Sequence, residues 1–199
     1  MLLIGLTGGI GSGKSSVSAA LARRGAVIVD ADAIVRELQQ PGTVVFDEMV
    51  ERFGPGIVAP DGGLDRAAVA QVVFTDPEAL ADLGAIVHPR VHTEIEDRVA
   101  AQVGTDRVVV LDIPLLAESG WPGLVATIVV DLDPEVAVER LVRHRGFAEE
   151  DARNRMANQA ARHERLERAD FVVDNHGDHD ALEAEVDRAW AWINGLEPA

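Results

Sequence analysis

Lys14 closes the run Gly8-Gly9-Ile10-Gly11-Ser12-Gly13-Lys14-Ser15, and it is the only lysine in a chain whose other strong bases are all arginine. The run fits G-x-x-x-x-G-K-[ST]. In that pattern successive backbone N–H groups cradle phosphate oxygens, the lysine reaches the β- and γ-phosphates and the serine hydroxyl takes a place on Mg²⁺. A glycine-rich turn with an incidental lysine would show the same short string, so the flanks decide. Residues 2–6 are a short apolar run, and residues 14–24 read as a helix. Strand, glycine loop and helix then give an anion site with two causes, the loop's amides and the positive end of the helix.

Carboxylates stand at the ends of two further apolar runs. Asp30-Ala31-Asp32 closes the first. Strand alternation would send Asp30 and Asp32 to one face, a helix starting at Ala31 would separate them, and either can instead cap that helix. Asp32 is the better candidate for orienting or deprotonating an acceptor hydroxyl. Asp112 follows residues 108–111 in the arrangement that holds Mg²⁺ through oxygen or water ligands, and Pro114 then stops further strand pairing.

Arginines concentrate between Arg140 and Arg168, eight of them against five acids, in a chain of formal net charge −16. Arg143, Arg153, Arg155 and Arg168 have an acid four positions back and read as helix-surface pairs. Arg140, Arg162 and Arg165 have no acid three or four residues away, which makes them candidates for bidentate phosphate contact in a mobile lid. Gly146 can serve as a hinge or helix stop. His88 and His92 have the spacing of helical metal ligands but no third histidine at a matching offset, and His88 beside Pro89 reads instead as a helix start.

The elements that would position these groups follow from pattern. Apolar runs at 26–29, 108–111, 127–132 and 171–173 read, with the first, as five buried parallel strands of a doubly wound α/β sheet. Helices are expected from Lys14, Pro134 and Asp178, with Asp133 as N-cap before Pro134. Residues 32–103 read as a helical insertion broken at Pro41-Gly42, Gly54-Pro55-Gly56, Asp61-Gly62-Gly63 and His88-Pro89. Its departure from a strand's carboxyl end suits it to hold a second substrate. At 199 residues without cysteine, the chain reads as one compact cytosolic domain with no disulfide, thiolate nucleophile or zinc ribbon. No stretch approaches a membrane span, and the acidic balance argues against a nucleic-acid surface.

With these pieces in order, the chain closely resembles the dephospho-coenzyme A kinase family nearly end to end. The resemblance is carried by Gly5-Leu6-Thr7-Gly8-Gly9-Ile10-Gly11-Ser12-Gly13-Lys14-Ser15, Asp30-Ala31-Asp32, His88-Pro89, Pro114-Leu115-Leu116, Arg155-Met156 with Gln159, and Asp174-Asn175 with Gly177. Two positions depart: Ser16 stands where the family usually has Thr, and Ala117 where it often has a larger apolar residue. The resemblance implies a P-loop kinase fold with a five-stranded parallel core, a helical acceptor domain and an arginine-bearing lid. The expected divisions are residues 1–31, 104–142 and 169–199 for the core, 32–103 for the acceptor domain and 143–168 for the lid. It implies transfer of a phosphoryl group from ATP to the ribose 3′-hydroxyl of dephospho-CoA, the last step of CoA synthesis, with Mg²⁺ and no obligatory protein partner.

The resemblance also distributes roles. ATP would lie on Gly11, Ser12, Gly13, Lys14, Ser15 and Ser16 with Asn175 near the adenine, and Asp32 would activate the acceptor. Lys14 and Arg140 would stabilise charge on the transferring group, and Arg162 and Arg165 would touch phosphate from the lid. Thr7, Asp30, His88, Leu115 and Leu116 are the acceptor-side candidates, and Ser15 and Asp112 the metal-side ones. Three other readings compete. A kinase for another small alcohol differs in acceptor. A GTPase switch commonly needs an Asn-Lys-x-Asp motif, and the sole lysine is already committed. A nucleotide-binding regulator would have no use for Asp32 or for lid arginines.

Overall fold

The computed structural model of the chain describes residues 1–197. It divides into two compact units, one formed by Met1–Val29 with the residues from Gln102 onward and the other by Asp30–Ala101.

The first unit is built on a five-stranded parallel sheet in the order β2-β3-β1-β4-β5, from β1 (Leu2–Gly8), β2 (Val27–Asp30), β3 (Val108–Asp112), β4 (Ala126–Asp131) and β5 (Phe171–Asp174). The three inner strands are nearly continuous apolar runs because both faces are covered: Ile4, Leu6, Val109, Val110 and Ile128 are all inaccessible to solvent. Helix α1 (Lys14–Arg23) presses Val17 and Leu21 into this core, and the last helix, α10 (His179–Ile193), contributes Val186 and Ile193. Register sets Leu6 beside Asp112 on one side of β1 and Gly8 beside Val130 on the other. The glycine loop thus leaves the carboxyl end of the central strand, where strand order reverses and open α/β sheets bind their ligands.

The second unit holds α2 (Ala31–Leu38), α3 (Val44–Phe53), a 3₁₀ turn, α4 (Arg66–Thr75) and α5 (Pro77–Ala100) around Val45, Met49, Ile57, Val69, Val73 and Val87. Side-chain caps start each helix: Asp30, Thr43, Asp65 and Asp76 accept first-turn amide hydrogens. The break expected at His88-Pro89 does not occur. Both residues lie inside α5, which runs 24 residues through Pro89. Proline removes one helical hydrogen bond there, but Ala79, Val87 and Ile95 bury themselves on either side and packing carries the helix through.

Back in the first unit, α6 (Leu116–Ser119) follows the Pro114 turn, and α7 (Pro134–Arg145) starts where Asp133 accepts from the Glu135 amide at 2.9 Å. Gly146 ends α7 as its left-handed cap at φ 68°. Two short helices follow, α8 (Glu149–Ala157) and α9 (Arg162–Glu167). Val138, Leu141 and Ala152 form a small apolar cluster that takes in Ile10, Phe147 and Met156. Among the described residues no helix is long and apolar enough to cross a membrane.

Candidate active site

The loop between β1 and α1 has its shape dictated by two glycines. Gly11 and Gly13 sit at φ 80° and 92°, in the left-handed region where a side chain is strained. Gly13 caps α1, its carbonyl accepting from the Ser16 amide at 2.9 Å, while the Ser12 amide donates back to the Gly9 carbonyl at 3.0 Å. The start of the helix thereby offers its first-turn amides and its positive end to an anion. Lys14, the first helical residue, is ion-paired with Asp112, a carboxylate 3% exposed at the end of β3. The sheet register brings these two charges together across 98 residues of sequence.

Asn175 secures the opposite side of the loop. It is buried just beyond β5, its amide hydrogen goes to the Asp131 carbonyl at 3.0 Å, and its side-chain Nδ2 donates to the Ser12 carbonyl at 2.7 Å. A Cβ on Gly13 would stand 2.1 Å from that Nδ2, so the approach itself demands glycine. The Arg140 guanidinium donates to the Asn175 carbonyl at 3.0 Å. Beside them lies a cleft of about 360 Å³ bordered by Gly13, Ser16, Arg140, Asn175 and His179, adequate for the nucleoside end of a nucleotide. Next to Asn175, His176 accepts the Asp133 amide hydrogen on Nε2 at 2.8 Å. That bond leaves its Nδ1 hydrogen for Asp174. The backbone amide and ring of His176 together hold the Asp174 carboxyl below its usual range.

The arginines divide differently from their local spacing. Arg162 has an acid partner, 31 residues back: its guanidinium grips both oxygens of Asp131 at 2.8 and 2.6 Å. That fork lowers the Asp131 carboxyl below its ordinary value, outweighing burial, which acts the other way. Arg165 lies against Gly9, close enough that a Cβ there would meet its Nη2 at 2.7 Å, and it also donates to the Ala160 carbonyl. Arg153 pairs with Glu149, as its spacing implied, and additionally with both oxygens of Glu135. Arg155 stacks over the Phe147 ring at 5.2 Å.

Gln159, between α8 and α9, is the functional-looking contact that spacing could not reveal. Its side-chain oxygen accepts the Ile10 amide hydrogen at 2.8 Å. On the other flank of β1 the Thr7 hydroxyl is fully buried and donates to the Pro114 carbonyl at 3.0 Å, fastening the turn that carries Leu115 and Leu116. Leu116 is buried over Gly5, where a Cβ would fall 2.5 Å from its Cδ2, whereas Leu115 is 48% exposed.

In the second unit, Asp30 ends β2 and caps α2, its carboxylate accepting from the Ala33 amide at 3.0 Å with Arg36 at 3.8 Å. Asp32, two residues past the strand, is in the first turn of α2 with its side chain exposed. The same short sequence therefore holds one carboxylate committed to the backbone and one presented to solvent. His88 is exposed on α5, packed over Gly84 one turn earlier, and His92 lies 3.4 Å from Glu96.

Among the described residues no cluster of three or more His, Cys, Asp or Glu could enclose a metal ion. The donors near the loop are hard oxygens, the exposed Ser15 hydroxyl and the Asp112 carboxylate. Such a sparse oxygen set fits Mg²⁺, which keeps several waters and takes most of its other ligands from a bound phosphate.

The family model described as dephospho-CoA kinase (CoaE) matches residues 2–181. A relative named dephospho-CoA kinase in Streptomyces avermitilis is 51% identical over 195 residues, which is 96% of this chain and 93% of that protein. The solved structure of TT1252 from Thermus thermophilus is 35% identical, with a TM-score of 0.80 and coverage of 98% of each chain. Dephospho-CoA kinase from Campylobacter jejuni shares the fold at 22% identity, with a TM-score of 0.72 over 96% of each chain. With a phosphate loop, a lysine paired to a buried carboxylate and matches that run almost from end to end, the chain belongs to the dephospho-CoA kinase family.

Proposed function

We propose that this chain transfers the γ-phosphoryl group of ATP to the ribose 3′-hydroxyl of dephospho-CoA, releasing ADP and coenzyme A. Family membership makes it a kinase that phosphorylates dephospho-CoA in CoA biosynthesis. The 3′-position, the individual residues and Mg²⁺ are our assignment. The observation that carries it is Lys14 held beside Asp112 at the mouth of a glycine loop whose geometry excludes any larger residue at Gly13.

Phosphoryl transfer asks a protein mainly to position reactants and neutralise charge. The amides of residues 11–16 hold the β-phosphate, and Lys14 moves from Asp112 towards the β- and γ-oxygens. Arg140, reaching out from α7, stabilises charge that develops on the transferring group. Asp32 takes the proton of the attacking hydroxyl, supported by its exposure just past the end of β2 while its neighbour Asp30 is spent on a cap. Ser15 directly and Asp112 through water would hold Mg²⁺, which would supply positive charge to neutralise the phosphate groups. Residues 32–103 serve as the acceptor-binding part and 143–168 as the lid that excludes water. Thr7 and Leu116 act by shaping the Pro114 turn, Asp30 acts by capping α2, and His88 and Leu115 remain acceptor-side assignments. A cytoplasmic enzyme without nucleic-acid, membrane or obligatory protein partners fits the acidic composition and the absence of cysteine.

The test is steady-state phosphorylation with ATP and Mg²⁺ of dephospho-CoA beside adenosine, AMP and shikimate, with Lys14→Ala and Asp32→Asn as controls. Formation of CoA that is lost in both variants supports the assignment. A preference for another acceptor overturns the substrate, and full activity of Asp32→Asn overturns the role of that carboxylate.

A further inference from the structure

We infer that Gln159 is a positioning residue for the phosphate loop: its side-chain oxygen holds the Ile10 N–H and so keeps the loop in its anion-binding shape before nucleotide arrives. This deepens the ATP reading above and rests on it. The amide of Ile10 stands one residue before Gly11, at the point where the chain must turn into the left-handed conformation, and Gln159 Oε1 accepts its hydrogen at 2.8 Å. Two other contacts hold Ile10 and the glycine before it. The Ile10 side chain packs against the cluster of Val138, Leu141 and Ala152, and the Arg165 guanidinium covers Gly9. Gln159 is itself steadied, its amide donating to the Met156 carbonyl at 3.1 Å, while the Arg162–Asp131 fork anchors the helix that follows to the end of β4.

The arrangement has a specific chemical logic. Phosphate oxygens are acceptors and can organise the amides that face them, whereas a loop amide that turns away needs an acceptor from the protein. Gln159 supplies one without charge, so the loop gains a partner and keeps its positive potential. Asn175 does the complementary task on the Ser12 carbonyl with a donor. The loop is thus clamped between a neutral acceptor from the segment joining α8 to α9 and a neutral donor from the end of β5. A preformed loop spares the nucleotide the ordering of these residues, and the loss of that preformation falls on affinity in place of turnover.

Amide exchange of ¹⁵N-labelled full-length protein without nucleotide, followed by kinetics, tests this. Gln159→Met keeps length and loses the acceptor, and Gln159→Glu keeps an acceptor oxygen. The expected result for Gln159→Met is exchange at Ile10 about tenfold faster, a KM for ATP raised about three- to tenfold, the size of one net hydrogen bond, and kcat and the acceptor KM within about twofold of wild type. Slow exchange at Ile10 should return in Gln159→Glu. The inference is overturned by unchanged Ile10 exchange in Gln159→Met, by equal acceleration at the amides of β1, or by a fall in kcat without a rise in the KM for ATP. Were ATP not the substrate, wild type would show no saturation by ATP while the exchange at Ile10 would still respond to Gln159→Met, so the two failures are separable.

Discussion

The side-chain amide of Asn175 lies 2.7 Å from the carbonyl oxygen of Ser12, tying the residue after the last strand to a loop 163 positions earlier in the chain. The contact is buried, and the Asn175 backbone carbonyl on its other side accepts from Arg140. One residue therefore sets both the phosphate loop and an arginine beside it. Asn175→Ala leaves the Ser12 carbonyl without its donor, a loss of about 1–3 kcal/mol for an unpaired buried group. We expect a lower Tm together with weaker ATP binding by calorimetry. Asn175→Asp should be worse than Asn175→Ala, since a carboxylate would face a carbonyl oxygen. Equal ATP affinity in wild type and Asn175→Ala would sink the assignment.

Gly13→Ala probes the same contact from the other side. At φ 92° an L side chain costs about 1–2 kcal/mol in backbone strain alone, corresponding to a fall of about 2–8 °C in Tm. The added methyl would also stand 2.1 Å from Asn175 Nδ2 and displace it. Gly25→Ala is the control: it has a similar φ of 105° but nothing within 4 Å of the added carbon. Both variants should lose stability through the backbone, and Gly13→Ala alone should lose ATP affinity, read as an increase in Kd of about tenfold or more. Parallel losses of affinity in the two variants would remove the contact from the explanation.

How much of this was legible beforehand depends on the range of the cause. The strands could be read because burial on both faces makes runs such as residues 108–111 continuously apolar, and α7 because Asp133 and Pro134 act on the next turn. The phosphate loop carried its own geometry in Gly11 and Gly13. What escaped was set at a distance. Arg162 seemed unpaired only because Asp131 is brought to it by the packing of α9 on the end of β4. Gln159 finds Ile10 across 149 residues, and strand order decides that Lys14 meets Asp112. Pro89 misled in the opposite sense: a strong local rule was overridden by apolar packing on both sides of it. Which of Asp30 and Asp32 caps α2 could not be read from type or spacing, because it depends on the residue at which α2 begins.

The Arg162–Asp131 pair should give stability a defined pH dependence. Asp131 is held below its ordinary carboxyl value in the folded chain, so its contribution is complete above the unfolded value of about 4 and is lost as pH falls through the lower folded value. Arg162 is 38% exposed on its side chain, which limits the pair to about 1 kcal/mol. The Tm of Asp131→Asn should fall below that of wild type by a constant amount from pH 7 to about pH 5, and the gap should narrow below about pH 4. Limited proteolysis at 143–168 should speed up in the same variant at neutral pH. A gap that widened with acid would show that the sign, and with it the pairing, is wrong.

The final prediction uses the chain's single lysine. Reductive dimethylation with ¹³C-formaldehyde keeps the charge on an amine and can label only Lys14 and the N-terminus, so one of two resonances reports directly on the Lys14–Asp112 pair. Asp112→Asn should move the Lys14 resonance and leave the N-terminal one in place. Adding a non-hydrolysable ATP analogue should move it as well, because clustered phosphate charge competes with one carboxylate for the ammonium. Lys14→Ala should lower kcat by about 10²–10³, the usual loss when one charge-stabilising group is removed from a transition state. If the resonance ignored the nucleotide while kcat still fell, Lys14 would act by holding Asp112 and not by touching phosphate. The division of labour between the only lysine and the carboxylate beside it would then have to be reversed.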